Sequence, residues 1–263
     1  MFKNITCFAF VFLLSLNARA EVITEEVSYR QGDTVMKGLL AYDNSIKEKR
    51  PGVLVVHEWW GHNSFARQRA KMLAELGYTA LAVDMYGNGK TADHPDDAAK
   101  FSGAVGGNLP LAKQRFESAM DVLKQHQTVQ HDKLAAIGYC FGGGIVLQMA
   151  RQGLDLDGVV SFHGSLATKS PAEKGQVKAR VRAFNGADDP FVTAEQISAF
   201  KTEMSDAGVD FQFVNYPGTK HSFTNKDADT FAKRFNLPLA YNKKADEDSW
   251  QQMQGFFKEI FTK

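Results

Sequence analysis

The chain has 263 residues, 44% of them hydrophobic and 11% aromatic, with 31 Lys and Arg against 30 Asp and Glu. A chain of this length and apolar content buries a core without disulfide or metal staples and is not a mainly disordered segment. A formal net charge of +1 with no basic block leaves no electrostatic footprint for nucleic acid, and two cysteines exclude a disulfide-rich scaffold.

Residues 1–20 read as a secretory signal peptide. Lys3 supplies the positive start, residues 5–16 are an apolar stretch too short to span a bilayer comfortably, and Ala18-Arg19-Ala20 is a small-x-small cleavage site. A mature domain of residues 21–263 is expected in the periplasm or outside the cell, with no membrane partner after cleavage. It keeps one cysteine, Cys140, either buried and inert or free and reactive.

Residues 22–29 and 35–42 alternate in part around Gln31-Gly32-Asp33 and predict an opening hairpin. The apolar run at 52–56 predicts a strand buried on both faces. Phe65, Met72, Leu73 and Leu76 have helical spacing over 64–76, stopped by Gly77, and a strand follows at 78–83. Helices are expected at 95–101 and 111–125, separated by a glycine-rich break at 103–107. Beyond them come a strand at 134–137, a helix at 141–151, strands at 158–162 and 181–184, a helix at 194–207, a strand at 211–216 and a closing helix at 246–260. This alternation, without repeat or linker, predicts one α/β domain with a mostly parallel central sheet flanked by helices.

Gly138-Tyr139-Cys140-Phe141-Gly142-Gly143-Gly144 joins an expected strand to an expected helix. It has the G-x-nucleophile-x-G pattern of a nucleophile elbow, with cysteine in place of the more usual serine. Side chains two residues to either side of the nucleophile would strike the neighbouring strand and helix, so glycine is needed there. The turn sets Cys140 at a helix N-terminus, where unpaired N–H groups and partial positive charge favour a thiolate. A buried core cysteine is the plainer alternative, and the strand–turn–helix context argues against it. No phosphate-loop pattern is present.

An elbow nucleophile needs an acid and then a histidine later in the chain. Asp188 and Asp189 follow the strand at 181–184, and His221 follows the strand at 211–216. Histidine moves protons near neutral pH, and a carboxylate orients its ring and stabilises its cation. One of the two aspartates could instead cap the helix that begins near Thr193. His57-Glu58 with His62 is one residue too long for the zinc pattern H-E-x-x-H, and no metal is expected. His94, His126, His131 and His163 read as surface or structural residues.

With these residues placed, the sequence resembles the dienelactone hydrolase family of α/β-hydrolases, from about residue 22 to 261. The resemblance rests on Val56-His57-Glu58-Trp59-Trp60-Gly61, Asp84-Met85-Tyr86-Gly87, the Cys140 elbow, Gly186-Ala187-Asp188-Asp189-Pro190-Phe191-Val192 and His221-Ser222-Phe223. It implies a single α/β-hydrolase domain cleaving a small lactone or carboxylic ester through a Cys-His-Asp triad and an acyl-enzyme thioester, without a cofactor. The family's G-x-x-D spacing favours Asp189 over Asp188. The resemblance further implies that Glu58 partners the resting Cys140, and that the backbone N–H groups of Trp59 and Phe141 form the oxyanion hole. Elbow geometry points to Phe141 independently.

Members of this family hold a substrate carboxylate with two arginines. Asn88 and Asn225 stand at the matched positions and bring no charge, so Arg67 or Arg69 would have to supply it from another element. Trp59, Trp60, Tyr86, Phe141, Phe191 and Phe223 are expected to make a largely apolar substrate pocket, with Asn88 and Asn225 beside them. An acyltransferase or thioesterase would use the same triad. A non-catalytic binding protein would not need all three of its residues. The expected partner is a small-molecule substrate, on a monomer or a dimer.

Overall fold

The structure, a computed structural model, describes residues 21–262. The expected signal peptide, residues 1–20, lies outside them. β1 (Val22–Gln31) and β2 (Thr34–Asp43) form the antiparallel hairpin, turning at Gly32. The other strands are β3 (Arg50–Val56), β4 (Thr79–Val83), β5 (Val129–Tyr139), β6 (Gly158–Phe162), β7 (Arg180–Gly186) and β8 (Phe211–Tyr216). Between and after them run α1 (Ser64–Glu75), α2 (Pro95–Gly106), α3 (Leu109–Gln125), α4 (Phe141–Arg151), α5 (Ala194–Asp206), α6 (Ala228–Phe235) and α7 (Lys243–Phe261). The strands form one sheet in the order β1-β2-β4-β3-β5-β6-β7-β8. The pairs β1–β2 and β2–β4 are antiparallel, and all later pairs are parallel. This is the single α/β domain expected.

The apolar runs are continuous because both sheet faces are covered. Side chains alternate across a strand, so Leu54, Val56, Leu81 and Ala136 enter one core with Phe116 of α3 and Ile145 of α4. Val53, Val55, Ala80 and Ile137 enter the other, with Leu73 of α1 and Phe257 of α7. Among the described residues no helix is long and apolar enough to cross a membrane.

Three stretches differ from expectation: β5 starts at Val129 and ends at Tyr139 rather than spanning 134–137, and two helices differ as well. α2 does not stop before its glycines but runs through Gly103 to Gly106. Its start is strong: the His94 side chain caps it, Pro95 opens it, and Asp96 and Asp97 sit in the first turn, where the helix dipole favours negative charge. Burial of Ala98 and Val105 offsets the poor helix propensity of glycine. α6 was not anticipated. Its Phe231 and Phe235, one turn apart, stack on Trp60 with ring centroids at 4.5 Å and 6.0 Å, and Asn236 ends it in the left-handed conformation.

Candidate active site

Cys140 leaves β5 with φ +52° and ψ −116°, outside the favoured regions for a residue with a Cβ, and α4 begins at the next residue. The flanking glycines permit the turn. A Cβ on Gly138 would lie 2.1 Å from the Gly142 carbonyl oxygen, and one on Gly142 would lie 2.3 Å from the Val56 oxygen. The Gly142 N–H donates to the His57 carbonyl at 3.1 Å, which fastens the elbow to the chain leaving β3.

That chain is fixed from below by His57. Its Nε2 accepts from the Met85 N–H at 3.2 Å, so its Nδ1 carries the proton and donates to the Glu58 carbonyl at 2.6 Å. Burial lowers the pKa of His57 to about 4 and keeps it neutral. Tyr86 Oη donates to the next carbonyl, that of Trp59, at 2.9 Å. Both carbonyls are thus engaged by side chains. The N–H groups of Trp59 and Phe141 find no acceptor among the described residues.

Asp189 and His221 leave β7 and β8, two neighbouring strands, and meet with Asp189 Oδ2 at 2.7 Å from His221 Nδ1. The other carboxylate oxygen accepts from the Phe191 N–H at 2.8 Å. Asp188 is exposed and neither aspartate caps α5, whose cap is a Thr193–Gln196 capping box. Burial works against a charge on His221. The adjoining Cys140 sulfur and the Asp189 carboxylate outweigh it and raise its pKa to about 10.

Glu58 is buried, and its two oxygens accept from Ser222 Oγ at 2.9 Å and Asn225 Nδ2 at 2.6 Å. Among the described hydrogen bonds none joins it to Cys140; its charge instead acts on His221 and Arg69. Burial raises its pKa despite those bonds and charges.

A cavity of about 610 Å³ opens over Cys140 and His221. Trp59, Phe141 and Phe191 line it as expected; Val192, Leu237, Leu239 and one face of α2 complete it. Several expected wall residues lie elsewhere. Trp60 is buried under α6. Tyr86 stands behind the wall, holding Trp59. Phe223 is fully buried, edge-on to His163 and Tyr216. Asn88 is exposed on the loop after β4, its N–H donating to Val35, and Asn225 is turned to Glu58. Arg67 pairs with Glu26, and Arg69 with Asp246, so neither reaches the cavity. Hydrophobic type was visible in the sequence, but which face each ring turns to is decided by packing.

Sequence reasoning read His163 only as a surface or structural residue. It is fully buried, has φ +41°, and lies directly beneath the elbow, with its ring centroid 5.2 Å from that of His221. Its place after β6, beside the elbow strand, was the available signal.

The model of the dienelactone hydrolase family matches residues 36–261. The chain is 30% identical over 242 residues to the protein usf of Aquifex pyrophilus, covering 90% of this chain and 98% of that one. It is 26% identical over 208 residues to a carboxymethylenebutenolidase of Pseudomonas putida, covering 77% of this chain and 86% of that one. The solved structure of a dienelactone hydrolase-like promiscuous phosphotriesterase from metagenomic libraries superposes with a TM-score of 0.85 at 34% identity, covering 91% of this chain and 99% of that one.

Proposed function

Because the chain belongs to the dienelactone hydrolase family and is a lactone or ester hydrolase of the α/β-hydrolase fold, we propose that it works through Cys140, His221 and Asp189. The Cys140 sulfur attacks the carbonyl carbon of the substrate. Its proton passes to His221 at Nε2, since Nδ1 faces Asp189. The carbonyl π bond opens onto oxygen, and that oxyanion is taken up by the N–H groups of Trp59 and Phe141. The intermediate collapses, the carbon–oxygen bond of the ester breaks, and His221 protonates the departing alkoxide. A thioester on Cys140 remains; in a lactone the alcohol stays tethered to it. Water, deprotonated by His221, then releases the acid and restores the thiol.

The observation that carries this reading is the convergence of the strained Cys140 elbow and the Asp189–His221 hydrogen bond at the floor of one cavity. Glu58 supports it as a second buried carboxyl group near His221. The test is hydrolysis of small aryl esters and lactones by the mature chain beside Cys140→Ala. The reading requires loss of turnover by several orders of magnitude in a folded variant.

The charge, apolar run and small-x-small site of residues 1–20 support export to the periplasm or the medium. The mass of the chain recovered from those fractions tests it: a protein beginning at Glu21 is expected, and one beginning at Met1 would contradict the reading.

A further inference from the structure

The cavity over Cys140 is nearly free of charged side chains. Among the described residues that line it, Cys140 and His221 are the only ionisable groups. The two arginines considered for a carboxylate are committed elsewhere: Arg67 to Glu26, and Arg69 to Asp246 at 2.6 Å and the Thr224 carbonyl at 2.7 Å, and no other arginine lines the cavity among the described residues. Asn225, which could have met a carboxylate, donates to Glu58. Asp189 is buried against His221, and Glu58 is buried nearby on Ser222 and Asn225. His221 is the one cationic group in the lining, and Cys140 and Asp189 already adjoin it, so a substrate anion would find no free cation to pair with while losing its own hydration.

The walls ask for something apolar. Phe191 is 53% exposed, and it and Leu76 are the only large apolar side chains left exposed among the described residues. Its ring stands edge-on to His221 at 5.0 Å. Core packing does not account for a phenyl ring at that position, whereas contact with an apolar substrate does. Across the cavity, α2 presents Gly103 and Gly106. A Cβ on Gly103 would meet no heavy atom within 4 Å, and one on Gly106 would meet the Phe141 ring at 3.5 Å. Both residues are helical, so the backbone does not require glycine at either position. What glycine leaves there is room.

Resting on the hydrolase reading above, we propose that the site takes uncharged esters or lactones whose acyl part is an apolar chain or ring, seated between Phe191 and α2, and that Gly103 sets the size it admits. The substrate carboxylate that the family resemblance implies is replaced by an apolar group.

The test uses the mature chain with p-nitrophenyl acetate, p-nitrophenyl octanoate, and the adipate monoester as free acid and as methyl ester, each corrected for spontaneous hydrolysis. Wild type should favour the methyl ester over the free acid, and octanoate over acetate, in kcat/KM. Gly103→Leu should lower the octanoate-to-acetate ratio of kcat/KM at least about tenfold, the scale of discrimination in an apolar pocket, and Gly103→Ala by less. Thermal unfolding checks that both variants fold, and the alanine variant serves if the leucine one does not. Equal or better use of the free acid, or an unaltered chain-length ratio in a folded variant, overturns the inference and leaves the hydrolase reading standing. Turnover of no ester, or equal turnover by Cys140→Ala, overturns the hydrolase reading and the inference with it.

Discussion

The backbone N–H of Cys140 donates to Nδ1 of His163 at 3.1 Å, sharing itself with the Phe162 carbonyl at 3.0 Å. That bond assigns the proton to Nε2 of His163, which donates to Thr224 Oγ1 at 2.8 Å. The Thr224 carbonyl is held in turn by Arg69. Burial first, then the positive charges of His221 and Arg69, hold the pKa of His163 well below its ordinary value, so the ring stays neutral and its Nδ1 stays an acceptor. His163 therefore ties the elbow to the loop that carries His221.

Replacing His163 by Leu leaves Thr224 Oγ1 buried without its partner and is expected to cost roughly 1–3 kcal/mol of stability. It should also lower kcat more than it raises KM, because the displaced group is the proposed nucleophile rather than the substrate wall. His163→Asn, whose Oδ1 can accept from the Cys140 N–H, should restore most of kcat. Urea unfolding and steady-state kinetics on both variants check this; equal kcat for the two would contradict a positioning role.

Asp189→Asn should lower kcat by roughly 10³–10⁴-fold, since an amide no longer holds His221 in the productive tautomer. Asp188→Asn, at an exposed position that touches neither His221 nor the cap of α5, should change kcat/KM by less than about twofold. Comparable losses in the two variants would move the acid to Asp188.

Glu58→Gln removes one of two buried ionisable carboxyl groups near the Cys140–His221 pair. A neighbouring negative charge disfavours a second, so the pH profile of iodoacetamide alkylation should move to lower pH and the reaction should speed up. Superimposable profiles would confine Glu58 to holding Ser222 and Asn225.

Stability should fall on mild acidification. Burial lowers His57 and His62 from 6.5 to about 4, and His163 well below 6.5. These groups bind protons in the unfolded chain before they do so in the folded one. Their contribution is full above 6.5 and is lost as pH falls from 6.5 toward 4, each histidine adding up to about 1.4 kcal/mol per pH unit. Glu58, raised by burial, works in the opposite sense and offsets part of the loss. His221, raised to about 10, loses its contribution only as pH rises, outside this window. Urea unfolding at about pH 7 and about pH 5 should differ by a few kcal/mol; equal stabilities would contradict the burial of neutral histidines.

The framework was legible because strong local signals agreed with the tertiary structure. α4, β6 and β8 begin and end where the apolar runs and the glycine elbow say they should. Cys140, Asp189 and His221 each follow a strand, and parallel strands deliver such loops to one edge of the sheet. What escaped is decided by packing between distant segments. The pair Phe231 and Phe235 has helical spacing, but only Trp60 gives α6 something to bury against. Asn225 looks like a substrate ligand until Glu58 is seen to occupy it, and His163 looks structural until its bond to Cys140 is located.

The central claim is that the acyl group is transferred to Cys140. Intact-protein mass spectrometry of a protein of residues 21–263, acid-quenched within one turnover of p-nitrophenyl octanoate, tests it most directly. The account predicts a mass increase equal to one octanoyl group less a proton, located on the peptide containing Cys140 and removed by neutral hydroxylamine, with no adduct on Cys140→Ala. Full turnover by folded Cys140→Ala, or an adduct on any other residue at a catalytically competent rate, would contradict it.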